Sequence, residues 1–303
     1  MPRNIKYQFL NAINSTFKEG MDKHSIKGNG GTDGTKVYSY ADREGLKDVS
    51  GNFSNWMKEN HSDVKLVINI KSEHIQGFLN EKAKTCTYAT LEQYAAKFKK
   101  LEKIVNKTYG RGKADYQGFV IPSGVENTKI RDIAMSKEDF KKLEEAFEKS
   151  NSYAKTAIQL GEKLGLRVSE VSKLQGRDID LMKQEVRIIN SKGKRDREVP
   201  IRPEDRAYFA ALKAKTGDME RICPIQKESI NKAINRKLKE MGIKEKYKHT
   251  SEHAIRKMYA QKEYDRLRAE GKSIQEAMNE VSKLLGHGEK RNHLMRQYIL
   301  NIK

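Results

Sequence analysis

The residues best equipped for chemistry lie in the second half of the chain. Four of the seven histidines (His249, His253, His287 and His293) fall within the last 55 residues. His253 and Arg256, in SEHAIRKM, are three apart and share a face if that segment is helical. Two such cations lower each other's basicity unless an anion sits between them, and a phosphate would supply that anion. Arg167 interrupts the apolar run of LGLRVSE, and Glu170, one helical turn on, is a ready partner for its guanidinium. Lys192 and Lys194 occupy the tip of a hairpin-like segment, where a lysine either is solvated or reaches a phosphodiester. Tyr298, in RQYILNIK, reads by itself as an interfacial packing tyrosine.

These pieces stand in one order: GLRVSE at 165–170, SKGKR at 191–195 ahead of EVPI, HAIR at 253–256, LLGHG at 284–288 and RQY at 296–298. In that order they resemble the tyrosine recombinase (phage integrase) family, of the Xer and lambda integrase kind. The resemblance implies a site-specific DNA recombinase or integrase that serves integration or excision of a mobile element. A tyrosine hydroxyl, here Tyr298 with Tyr259 and Tyr264 as rivals, would attack a DNA phosphodiester and leave a 3′-phosphotyrosine and a 5′-hydroxyl. It further implies that Arg167 and Arg256 clamp the phosphate, that His253 handles the tyrosine proton, and that His287 donates to the phosphate. Lys192 would protonate the departing oxygen, with Lys194 as competitor, and Glu170 would orient Arg167. No ATP, metal or other cofactor is implied. The partners implied are double-stranded DNA, a homotetramer on that DNA, and an accessory bending or directionality factor. Two other readings share the motifs: a type IB topoisomerase-like enzyme without synapsis, and an architectural DNA-binding protein that has lost catalysis. The sequence departs from compact relatives in the helical insert DRLRAEGKSIQEAMNE at 265–280, and in the eleven residues from His287 to Tyr298 where nine is commoner.

The whole-chain balance agrees with a polyanionic partner. The 303 residues carry 61 Lys and Arg against 41 Asp and Glu, a net charge of +20, which attracts nucleic acid over long range. No run approaches the 18 apolar residues of a membrane span, and the first residues lack a secretory apolar stretch. Cys86 and Cys223 stand far apart, in no zinc-like spacing. These features point to a cytoplasmic, DNA-associated protein.

The length suggests two domains. The expected class is mainly α with a small antiparallel β-hairpin: a helical core-binding domain at 1–115, a linker at 116–134, and an α+β catalytic domain at 135–303. Together the two domains would clamp duplex DNA. In the first, helices are expected at 4–20, 37–60, 72–84 (capped by Ser72) and 88–107 (capped by Thr87), with 64–70 extended. The glycines at 28–34 read as a loop. The 88–107 helix steps its apolar face through Leu91, Tyr94, Phe98, Leu101 and Val105. Its lysines, Lys97 and Lys100 among them, are either a solvated face or DNA contacts. In the second domain a helix begins at Ser136, another spans 153–165, and strands at 186–190 and 196–201 flank the basic tip with Lys192, Lys194 and Arg195. Helices follow at 203–214, 226–240, 252–269, 273–285 (stopped by Gly286) and 290–301.

Overall fold

The computed structural model describes residues 4–21, 34–110, 114–127, 133–148, 150, 152–189, 196–248, 251–289 and 291–302. The expected 28–34 loop lies largely outside them, as do Lys192, Lys194 and Arg195. The chain divides into two compact units, Met1–Thr128 and Lys129–Lys303.

The first unit is helical: α1 (Ile5–Thr16), α2 (Tyr40–Asn60), α3 (Ser72–Ala83) and α4 (Tyr88–Tyr109). Its core is aromatic. Phe53 meets Phe98 and Phe78 edge to face, with centroids 5.0 and 5.3 Å apart, an arrangement the ring quadrupoles favour. The α4 stripe buries Leu91, Phe98, Leu101 and Val105 as its periodicity predicts, with Ala95 and Ile104 beside them. Two expectations fail locally. Residues 64–70 are not simply extended, because Val67–Asn69 forms a 3-10 turn. That turn is held by Tyr116, whose hydroxyl donates to the Val67 carbonyl at 2.7 Å, and by Gln8, which accepts the Val67 N–H. Nor does Ser72 cap α3. The helix begins on it, and the Lys71 N–H donates instead to His74 Nδ1 at 2.9 Å.

The first part of the expected linker is packed against this unit. Tyr116 is wholly buried, the Val120 N–H donates to Gln76, and the Val125 N–H donates to the Cys86 carbonyl.

The second unit builds α5 (Lys137–Glu148), α6 (Tyr153–Leu164) and the short α7 (Val168–Val171), then β1 (Ile179–Asp180), β2 (Glu185–Ile188) and β3 (Arg197–Pro200). The sheet is antiparallel in the order β1-β2-β3, with Val186 opposite Val199 and Ile188 opposite Arg197. Then come α8 (Arg206–Lys215), α9 (Lys227–Glu240), α10 (Ser251–Ala269), α11 (Ile274–Leu284) and α12 (Asn292–Met295). Helix α10 is buried on more than one side. Ala254 and Ile255 join the larger core, while Tyr259, Ala260, Tyr264 and Leu267 pack with α11 and the segment around Tyr298. A helix covered this way needs no single apolar stripe.

The insert at 265–280 supplies the end of α10, a turn at Gly271 and the start of α11, which Ser273 and Glu276 cap reciprocally. The expected helix at 290–301 is reduced to the single turn of α12. Beyond it the Leu300 and Asn301 N–H groups both donate to Gln261 Oε1 at 3.0 Å, so that side chain on α10 takes donors a continuing helix would have used. Among the described residues no helix is long and apolar enough to cross a membrane.

Candidate active site

Three loops and one helix bring the predicted side chains together. α6 ends at Gly165, whose φ of +60° is the left-handed conformation glycine adopts without strain. A Cβ there would also stand 2.3 Å from the Tyr259 ring. This turn delivers Arg167 to the head of α7, one turn before Glu170. α11 ends in the same way: Gly286, at φ +68°, reverses the chain and presents His287. α10 carries His253 and Arg256, and the segment after α12 carries Tyr298.

Glu170 is the hub. Its Oε1 accepts from Arg167 Nη1 at 2.8 Å and Arg197 Nη1 at 2.9 Å. Its Oε2 accepts from the Arg167 N–H at 2.8 Å and Arg197 Nη2 at 2.9 Å. Arg256 Nη1 stands 3.9 Å from the same oxygen. Burial pushes the Glu170 carboxyl up, but the bonds from Arg197 and the charges of Arg197 and Arg256 outweigh it and hold the group well below the carboxylate range.

Arg256 is fully enclosed. Its two Nη atoms each spend one N–H on a backbone carbonyl. Nη1 donates to the Gly165 carbonyl, and Nη2 to the Leu285 carbonyl at 2.5 Å. Both carbonyls lie at helix C-termini, where acceptors lack helical partners and a cation is favoured. Nε has no hydrogen-bond partner among the described residues. Burial, and then the Arg167 charge, lower its pKa to about 10, so it stays protonated at neutral pH.

His287 Nε2 lies 3.3 Å from Arg167 Nη2. A guanidinium only donates, so Nε2 is the acceptor and the ring proton sits on Nδ1. Burial, followed by the Arg256 and Arg167 charges, pushes His287 down to about 3, leaving the ring neutral. Tyr298 is buried among these groups. Its ring centroid is 5.2 Å from that of His287 and 6.0 Å from that of His253, with the Arg256 guanidinium 5.7 Å away. His253 Nδ1 stands 3.7 Å from Glu252 Oε2. Three guanidiniums around one carboxylate leave the cluster cationic, as an anion-binding site requires.

Arg167, Glu170, His253, Arg256, His287 and Tyr298 therefore converge. Of the rivals, Tyr259 is enclosed against Gly165, with its hydroxyl pKa raised chiefly by burial, and Tyr264 is core. Lys97 and Lys100 belong to the first unit, where both pair with Asp42, Lys97 at 3.0 Å. Sequence reasoning missed Arg197. The available signal was strand alternation, which puts Arg197 in phase with buried Val199 on the inward face of β3.

The phage integrase family model matches residues 134–299, and the chain belongs to that family, the tyrosine recombinases. Among solved structures, the fold is similar to the XerH site-specific recombinase bound to palindromic difH substrate in a post-cleavage complex. That match has 14% identity and a TM-score of 0.64, over 97% of this chain and 90% of that one. The Tn1549 transposon integrase in complex with transposon right end DNA is similar at 13% identity and a TM-score of 0.58, over 98% and 94%. A lambda integrase dimer bound to a COC′ core site is similar at 14% identity and a TM-score of 0.59, over 96% and 76%. No curated protein sequence matches the chain.

Proposed function

We propose that this chain is a site-specific DNA recombinase that cleaves and rejoins strands through a 3′-phosphotyrosyl link at Tyr298. The convergence of Tyr298 with Arg256, His287 and His253 carries the reading, because it surrounds one tyrosine with cations and imidazoles in a buried site. The Tyr298 oxygen attacks phosphorus, the P–O5′ bond breaks, and the tyrosine proton passes to His253. A tyrosine hydroxyl has an ordinary pKa of about 10, so attack at neutral pH needs such an acceptor. Lys192, or Lys194 in its place, protonates the leaving 5′-oxygen, and Arg195 adds charge beside them in sequence. Arg167 meets the non-bridging oxygens, where negative charge grows in the transition state. A preorganised donor of this kind is worth about 10²–10³ in rate. The buried charge of Arg256 adds to the field from beneath the tyrosine ring. A 5′-hydroxyl of a partner strand reverses the chemistry, so the bond energy is kept in the protein link.

The DNA reading is supported by the net charge of +20 and by the DNA complexes of the similar structures. Strand exchange between two duplexes, each holding two protomers, makes the working assembly a tetramer. The test is covalent capture. The protein is incubated with random-sequence duplexes, denatured in detergent, and the adducts recovered and sequenced. A nicked form of the recovered duplex then traps the adduct. A Tyr298 peptide on the 3′-phosphate supports the reading. Adducts on another residue, or salt-sensitive binding with no adduct, refute it. Strand exchange between two recovered duplexes separates a recombinase from a topoisomerase-like enzyme.

A further inference from the structure

Arg197 opens β3, and its side chain is 8% exposed. It uses every nitrogen of its guanidinium. The two Nη atoms form a fork on Glu170, one to each oxygen at 2.9 Å, and Nε donates to the Leu284 carbonyl at 2.7 Å. Those two partners lead to the two halves of the site. Glu170 is the carboxylate on which Arg167 rests through its own N–H and its Nη1. Leu284 is the last residue of α11, two short of the Gly286 turn that presents His287. Gly286 itself makes room for this arginine, because a Cβ there would stand 2.9 Å from Arg197 Nη1. Arg167 Nη2 and His287 Nε2 are 3.3 Å apart, and Arg197 holds the support of each.

We infer that Arg197 is a positioning residue, which sets the spacing of Arg167 and His287 by gripping Glu170 and the end of α11 at once. This rests on the proposed function for its consequence, since that spacing matters where both groups meet one phosphate. Lysine cannot replace it. An ammonium keeps the charge but reaches one partner, whereas the rigid fork reaches two and its Nε a third.

The full chain carrying Arg197→Lys tests this. On the nicked duplex recovered by covalent capture, single-turnover cleavage is expected to slow about 10- to 100-fold, the scale of a small misplacement of catalytic groups. DNA affinity should stay near that of the parent, while the melting temperature should fall modestly, since a lysine leaves a buried acceptor of Glu170 or Leu284 without its donor. Arg167→Lys with Arg197→Lys together should lose less than the product of the two single losses, because part of the second change acts through Arg167. Losses that multiply, or a wild-type rate for Arg197→Lys, overturn the inference. A second readout needs no DNA: ¹⁵N-imidazole spectra, with His287 assigned from His287→Gln. The parent should keep His287 neutral with its proton on Nδ1 down to pH 5. In Arg197→Lys, which retains the charge, the ring should leave Arg167, so that the Nε2 resonance moves away from its position in the parent. An unchanged His287 spectrum overturns the inference. If the parent forms no adduct, the functional reading falls and these spectra alone decide the role of Arg197.

Discussion

The guanidinium of Arg256 stands 5.7 Å from the centre of the Tyr298 ring, and that ring helps to close the pocket in which the arginine is buried. The tyrosine therefore has a packing task apart from any chemistry of its hydroxyl, and two substitutions separate them. Tyr298→Phe keeps the ring and should change stability by no more than about 0.5 kcal/mol while ending adduct formation. Tyr298→Ala should end adduct formation and also cost about 3 kcal/mol. Urea unfolding of both variants, beside detergent gels for the adduct, makes the comparison.

Arg256→Met should be among the most damaging changes to stability. It strands the Gly165 and Leu285 carbonyls, each an acceptor whose loss of a partner costs about 1–3 kcal/mol. Thermal melting should show the loss without DNA, whereas Arg167→Met, on a partly exposed side chain, should melt closer to the parent.

Acid should weaken the second unit in a window set by His287. Its folded pKa, about 3, lies below its ordinary 6.5. The unfolded chain therefore binds the extra proton between those values, and stability falls as pH drops through that range. Between pH 7 and 5 the His287 share is about 1–2 kcal/mol. Glu170, also lowered, contributes stability that is lost only below its ordinary 4.5, so this interval leaves it out. His287→Gln should flatten the loss between pH 7 and 5 in denaturant titrations. An unchanged slope would mean that the ring is not held neutral by its surroundings.

Gln261→Leu should loosen the segment beyond Tyr298. One side chain accepts the Leu300 and Asn301 N–H groups and donates to the Asn301 carbonyl at 3.1 Å. Proteolysis near residue 300 should speed up, and cleavage of the captured duplex should slow several-fold with DNA affinity kept. Equal protease sensitivity in parent and variant would remove Gln261 from this role.

In the first unit, Asp42→Asn frees Lys97 and Lys100 from their shared carboxylate. If these lysines meet DNA phosphates, the variant should bind DNA more tightly, and Lys97→Ala should make the salt slope of log affinity shallower by about 0.9 for each phosphate it leaves unneutralised. A 129–303 fragment should likewise bind more weakly than the whole chain.

The convergence of Arg167, Glu170, His253, Arg256, His287 and Tyr298 was legible because each sits in a short motif beside a local signal: a glycine turn, an i,i+3 pair or a helix stop. What escaped was set by contacts distant in sequence. Arg197 acts through Glu170, 27 residues back, and Leu284, 87 residues on. The final helix is cut short by a side chain some 40 residues earlier. The Val67 turn is shaped by Tyr116, 49 residues later. The carbonyls that hold Arg256, on Gly165 and Leu285, lie 91 residues before it and 29 after it, so no local pattern shows that they face it.

α10 works as a ruler. His253, Arg256 and Gln261 are graduations on one rigid rod, so the imidazole, the buried cation and the tether of the tyrosine segment keep their spacing whatever happens at the rod's far end. From Arg256 to Ala269 the helix runs roughly 20 Å at 1.5 Å per residue, and Gly271 beyond it has open space around it. The α10–α11 hairpin can therefore lengthen, shorten or accept a foreign module at that tip while His253, Arg256 and Gln261 keep their spacing.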